Sequence, residues 1–141
     1  MRVLFDTNFI LDVLLARAPY VLPAAALLDR VAAKTLDGLL GATTLTTIHY
    51  LATKAVGSRA AQGHLRTLLG LFEVAPVTRS VLTDALELDL PDYEDAVLHE
   101  AARHAGAEAI LTRDPKGFAR ARLKLYAPDE LLRFLNAAPE R

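Results

Sequence analysis

The strongest constraint on this chain is an alternation. Short apolar runs, each too brief for a helix, are separated by longer segments in which apolar residues recur at helical spacing. Such a pattern suits a mostly parallel sheet whose connecting helices cover both faces. Residues 3–5, 38–42, 74–77, 109–112 and 123–126 are read as strands, bounded by polar residues or by Gly and Pro. Helices are expected at 8–17, 24–34, 46–56, 59–72, 79–88, 93–105 and 130–136. In the segment after Pro91, Val97, Leu98, Ala101, Ala102 and Ala105 share one face and are expected to meet the sheet, with Gly106 as the helix stop.

The chain has 141 residues, 52% of them hydrophobic, enough to bury a continuous core. No Ser/Gly/Pro-rich linker interrupts it, and 1–141 is read as one domain ending in a frayed tail from Ala137 to Arg141. The absence of cysteine rules out disulfides and thiolate metal sites, so any metal must be held by oxygen or imidazole. A formal net charge of −1 supplies no global attraction for a polyanion. Nucleic acid would have to be held by a local basic patch or through a bound cation. Asp6 comes too early for a signal peptide, and the apolar stretch 18–28 is short and broken by Pro19 and Pro23. A soluble cytoplasmic protein with no membrane partner is expected.

Three acids stand where such a fold would gather a ligand. Asp6 follows the first expected strand, and Asp114 follows the fourth after Arg113. Asp95 falls in the first turn of the helix after Pro91. In open parallel sheets the carboxyl ends of the strands form the binding edge, and the helices after them begin there. Each acid alone is equally well read as a helix cap: Asp114-Pro115 suits an N-cap with a first-turn proline, and Asp92 with Asp95 resembles a capping box. As a set they would repel unless protonated or neutralised, and a hard divalent cation takes oxygen ligands of this sort. Such an ion would orient a phosphodiester and activate water, a phosphoryl-transfer chemistry.

The motifs around these acids resemble those of the PIN-domain family. Phe5-Asp6-Thr7-Asn8-Phe9-Ile10-Leu11-Asp12 is similar to the family's opening motif, with Asp6 on the first metal-binding acid. Pro91-Asp92-Tyr93-Glu94-Asp95-Ala96-Val97 resembles the third acidic motif, with Asp95 on the metal-binding position. Ile110-Leu111-Thr112-Arg113-Asp114-Pro115-Lys116-Gly117-Phe118 resembles the fourth. The resemblance extends over nearly the whole chain. It implies a three-layer α/β/α sandwich, RNA cleavage dependent on Mg²⁺ or Mn²⁺, frequent homodimers and, for the VapC-type toxins, inhibition by an antitoxin. One position departs: where many members carry a glutamate, the stretch Thr44-Leu45-Thr46-Thr47-Ile48-His49-Tyr50 places Thr47. Asp92 or Glu94 would then supply a missing charge, or the site binds metal weakly or no longer cleaves.

Other polar residues have two readings each. Thr7 and Asn8 are placed to orient Asp6 or a metal-bound water, or to cap the first helix. Thr112 either reaches the crevice or is an ordinary strand-end threonine. Asp12, a turn and a half beyond Asp6, is expected to be a solvated or structural acid outside the metal site. His49, His64, His99 and His104 lack a shared ligand spacing. Arg113, Lys116, Arg120, Arg122 and Lys124 concentrate positive charge after the last acidic motif, with Arg113, Lys116 and Arg120 the candidate RNA contacts. A solvated basic run is the plainer account. Residues 24–28 and 65–72 are either core or a groove for a second copy or an antitoxin.

Three functions remain in contention. The first is a metal-dependent endoribonuclease, the toxin of a toxin–antitoxin pair. The second is a non-catalytic PIN-like module that holds RNA or protein, which Thr47 keeps open. Aspartyl-phosphate chemistry ranks last, because Asn8 stands where an Asp-x-Asp pair needs its second acid and Arg113-Asp114 follows the late strand where a Lys partner is wanted.

Overall fold

The computed structural model describes residues 1–118 and 121–137. Among these, five strands form one sheet: β1 (Arg2–Phe5), β2 (Asp37–Gly41), β3 (Glu73–Ala75), β4 (Ala109–Leu111) and β5 (Lys124–Tyr126). Every pairing is parallel, in the order β3-β2-β1-β4-β5. The helices are α1 (Thr7–Leu14), α2 (Val21–Ala32), α3 (Ala42–Val56), α4 (Ser58–Leu71), α5 (Arg79–Glu87), α6 (Tyr93–His104) and α7 (Pro128–Ala137), and a 3₁₀ turn spans Pro115–Phe118.

Strand alternation sends neighbouring residues to opposite faces, and each face has its own core. Val3, Phe5, Leu40, Ala109 and Leu111 pack with Phe9 and Ile10 of α1, Leu27 of α2, Ile48 of α3, Leu68 of α4 and Leu131 of α7. Leu4, Leu39 and Ile110 pack the other way, against Val81 and Ala85 of α5, and Leu98, Ala101 and Ala102 of α6. The result is a three-layer α/β/α sandwich. The apolar stretches at 24–28 and 65–72 supply Ala24, Leu27, Leu68 and Phe72 to the buried core, leaving Leu69 about half exposed.

Element ends differ from expectation where proline and glycine act. Helix α2 begins at Val21 and contains Pro23, which is tolerated because first-turn N–H groups need no helical acceptor. Strand β3 stops at Ala75, since Pro76 cannot donate to the ladder. Strand β2 stops at Gly41, and α3 begins at once with Ala42, four residues earlier than expected. No helix among the described residues is long and apolar enough to cross a membrane.

The sheet order decides where a ligand would sit. Strands run outward from β1 to β2 and β3 on one side, and to β4 and β5 on the other. The order therefore reverses between β1 and β4, and the crevice beyond their carboxyl ends is the default binding place of an open α/β sheet.

Candidate functional site

Asp6 leaves β1 directly into that crevice. Its N–H donates to Leu111 O of the adjacent β4 at 3.0 Å, and the residue caps α1, its Oδ1 accepting from Thr7 N at 2.8 Å. From the end of β4, the buried Thr112 donates its hydroxyl to Asp6 Oδ2 at 2.9 Å and accepts Asp114 N at 3.0 Å. Thr112 therefore links two of the three acids. Thr7 in turn shares a hydrogen bond with the buried Thr44 of α3, Oγ1 to Oγ1 at 2.9 Å.

Asp95 enters from the other helical layer. Asp92 is the N-cap of α6, its Oδ1 accepting from Asp95 N at 3.2 Å, so the expected cap is present and its bond goes to the backbone of the candidate ligand. A cavity of about 240 Å³ at this place is lined by Asp6, Asp95 and Asp114 together with Asp92 and Glu94. Thr7, Asn8, Leu11, Thr47 and Leu51 complete it from α1 and α3, and Leu98 and Phe118 from α6 and the 3₁₀ turn. Thr47 thus faces the same space as the acids.

The carboxylates feel one another. Burial pushes the Asp6 carboxyl above its ordinary value, against the bonds from Thr112 and Thr7, and the charge of Asp114 adds to the rise. Asp95 is pushed up to about 7, first by desolvation and then by the charges of Asp6, Asp92, Glu94 and Asp114. A carboxylate so raised beside several others lacks a countercharge. Among the described residues, no three acidic or histidine side chains are placed to hold an ion directly between them. The acids share a cavity without closing into a full coordination shell.

The candidate basic contacts divide. Lys116 is exposed in the turn after Asp114 and does not line the cavity. Arg113 instead pairs inward: its Nε lies 3.0 Å from Oδ2 of Asp12, and its guanidinium stacks over the Tyr20 ring at 4.1 Å. Asp12 is 2% exposed, so it is a structural acid and not a solvated one, because Arg113 folds over α1 to cover it. Arg120 lies outside the described residues. His99 is fully buried and satisfied, its Nε2 accepting from Arg122 N and Leu123 N.

One contributor escaped the sequence reading. A Cβ on Gly117 would lie 2.7 Å from Asp95 Oδ2 and 3.7 Å from Asp114 Oδ2, so a larger residue here would displace the Asp95 carboxylate. A glycine three residues after the last acid was the available signal.

A sequence model of the PIN domain matches residues 2–116. No curated protein sequence matches the chain significantly. Among solved structures, it is similar to VapBC2 from Rickettsia felis bound to a DNA fragment from their promoter, with a TM-score of 0.71 and 18% identity over 90% of this chain and 98% of that one. A toxin–antitoxin complex from Klebsiella pneumoniae aligns with a TM-score of 0.66 and 20% identity, covering 89% of this chain and 97% of that one. VapC20 of Mycobacterium tuberculosis, described as a sarcin-ricin loop cleaving toxin, gives a TM-score of 0.66 and 19% identity over 83% and 93%. At these identities the likeness is one of fold.

Proposed function

The chain belongs to the PIN domain family, and we propose that it is a metal-dependent endoribonuclease, 1–141 acting as one nuclease domain in the cytoplasm. The observation that carries the reading is the shared cavity of Asp6, Asp95 and Asp114, with Asp95 raised to about 7 by burial and then by the neighbouring carboxylates. The donor set is all-oxygen and multiply charged, which is the chemistry Mg²⁺ or Mn²⁺ takes. Asp6, Asp95 and Asp114 would hold it, with Asp92 or Glu94 adding charge from the rim.

When bound, such a cation stabilises charge on the phosphodiester oxygens and lowers the pKa of the attacking water. The chain's own residues set the stage. Thr112 and the Thr7 amide occupy both oxygens of Asp6 and fix its carboxylate plane. Asn8 lines the cavity one residue beyond Thr7, where an amide can orient a water or a phosphate oxygen. Lys116, with Arg120, is suited to neutralise flanking phosphates.

The toxin role rests on the fold shared with proteins described as toxins or as toxin–antitoxin complexes. An antitoxin and a second copy of the chain are the proposed protein partners. A second reading, a module that holds RNA without cutting it, draws on Thr47 in the cavity and on the absence of a closed ligand set among the described residues.

Asp6→Asn separates the two. The change removes a charge but little volume, so it should abolish Mn²⁺-dependent RNA cleavage while leaving the melting temperature close to that of the parent. Cleavage by the purified protein that a chelator does not suppress would sink the nuclease proposal as framed.

A further inference from the structure

The pairing of Arg113 gives that residue a task other than touching RNA. Asp12 sits on α1, almost wholly buried and outside the cavity, and a carboxylate so placed needs a partner charge. Two arginines offer one: Arg17 Nη1 stands 3.7 Å from Oδ1, whereas Arg113 Nε reaches Oδ2 at 3.0 Å. The Tyr20 ring gives the guanidinium a second contact, a cation–π approach of 4.1 Å to the ring centroid. Arg113 lies between Thr112, whose hydroxyl fixes Asp6, and Asp114 itself.

We propose that Arg113 is a positioning residue: anchored by Asp12 and Tyr20, it fixes the turn that carries Thr112 and Asp114, and thereby sets the affinity of the acid cavity for a divalent cation. This inference rests on the metal site of the proposed function. It replaces the reading of Arg113 as an RNA contact.

Electrostatic sign makes the proposal testable. Arg113 carries a positive charge felt at Asp6. If it acted by charge alone, Arg113→Gln would make the cavity more negative and tighten cation binding. A positioning role demands the opposite.

The experiment is a calorimetric Mn²⁺ titration of the full chain and of Arg113→Gln, Arg113→Lys, Asp12→Asn and Tyr20→Ala, with RNA cleavage kinetics beside it. Arg113→Gln and Asp12→Asn should each weaken Mn²⁺ binding about tenfold or more, the usual cost of losing a group that orients metal ligands. The double variant should be little worse than either single one, because both break the same link. Arg113→Lys should rescue only in part, since an ammonium lacks the planar fork and the stacking. At sub-saturating Mn²⁺, kcat should fall while KM for RNA stays level, and saturating Mn²⁺ should restore most of kcat.

If Asp12→Asn does not fold, Tyr20→Ala carries the test, with a smaller loss in the same direction. Unchanged or tighter Mn²⁺ binding by Arg113→Gln overturns the proposal. With a raised KM for RNA and a salt slope flattened by about 0.7, that result returns Arg113 to the RNA contacts. Unchanged affinity with lowered melting temperatures in all four variants overturns it in favour of a purely structural pair. A parent chain that binds no Mn²⁺ at all overturns the proposed function, and this inference with it.

Discussion

A threonine at position 47 places a neutral hydroxyl in the cavity that Asp6, Asp92, Glu94, Asp95 and Asp114 line. Asp6, Asp95 and Asp114 supply the charge there, and a fourth acid would add both charge and an oxygen ligand, whereas a hydroxyl is a weaker donor. Thr47→Glu should therefore tighten Mn²⁺ binding, each tenfold gain being worth about 1.4 kcal/mol. Calorimetric titration of the two proteins checks it. Unchanged or weaker binding in a folded variant would mean that Asp92 or Glu94 already fills the role. At this scale the positions of Asp6 and Asp114 were legible, because an Asp just past an apolar run can be placed on a sheet edge from the sequence alone, and that of Asp95 from its place in the first turn after Pro91. The Asp12–Arg113 pair and the closure of Gly117 over Asp95 were not, since they depend on how the loop after β4 folds over α1 and α6.

Where β2 turns into α3, the sequence was harder to read for a local reason. Four threonines between 43 and 47 favour strand or loop, so the helix was expected only from Thr46. In the fold, Thr44 is buried and bonded across to Thr7 of α1, and Thr46 Oγ1 donates to Thr43 O within the helix, so these two hydroxyls find partners without breaking it. Starting the helix at Ala42 is what brings Thr47 to the cavity. Gly41 makes the junction possible through space and not through backbone freedom, for its φ is −67°. A Cβ there would sit 2.4 Å from Leu98 Cδ2. Leu98 is buried, lines the cavity and lies one turn beyond Asp95 on α6. Gly41→Ala should therefore overpack the junction and destabilise the protein by about 1–3 kcal/mol. Urea denaturation measures the loss, and a variant as stable as its parent would show that Leu98 repacks freely.

For the whole molecule, the cavity couples folding to protons, and under the proposed function to a metal as well. The sequence placed Asp6 and Asp114 at strand ends, but only the order β3-β2-β1-β4-β5 makes those ends adjacent and opens the crevice between them. Gathering the acids has a cost that depends on pH. Asp95 titrates near 7 in the fold, against an ordinary value of 3.8, so over that interval the folded state binds a proton that the unfolded chain has released. Stability from this group is fully present below about pH 4 and is lost as pH rises through 7. His99 works in the opposite sense: burial lowers its pKa, and its contribution, present above 6.5, is lost as pH falls. The two partly cancel in the parent between pH 4 and 6.5, so the clean observable is a difference. In a chelator, Asp95→Asn, which mimics the protonated carboxyl, should melt at nearly the parent temperature near pH 4 and progressively above it as pH rises to 8. Thermal melts of both proteins across that range check the sign, and parallel curves would mean that Asp95 is not raised. Adding Mn²⁺ at pH 8 should then reverse the advantage. A ligand bound only by the folded state stabilises it by about 2.7 kcal/mol at a hundred times its Kd. The parent should gain this and Asp95→Asn should not, because the charge that destabilises the empty cavity is the one the cation would neutralise.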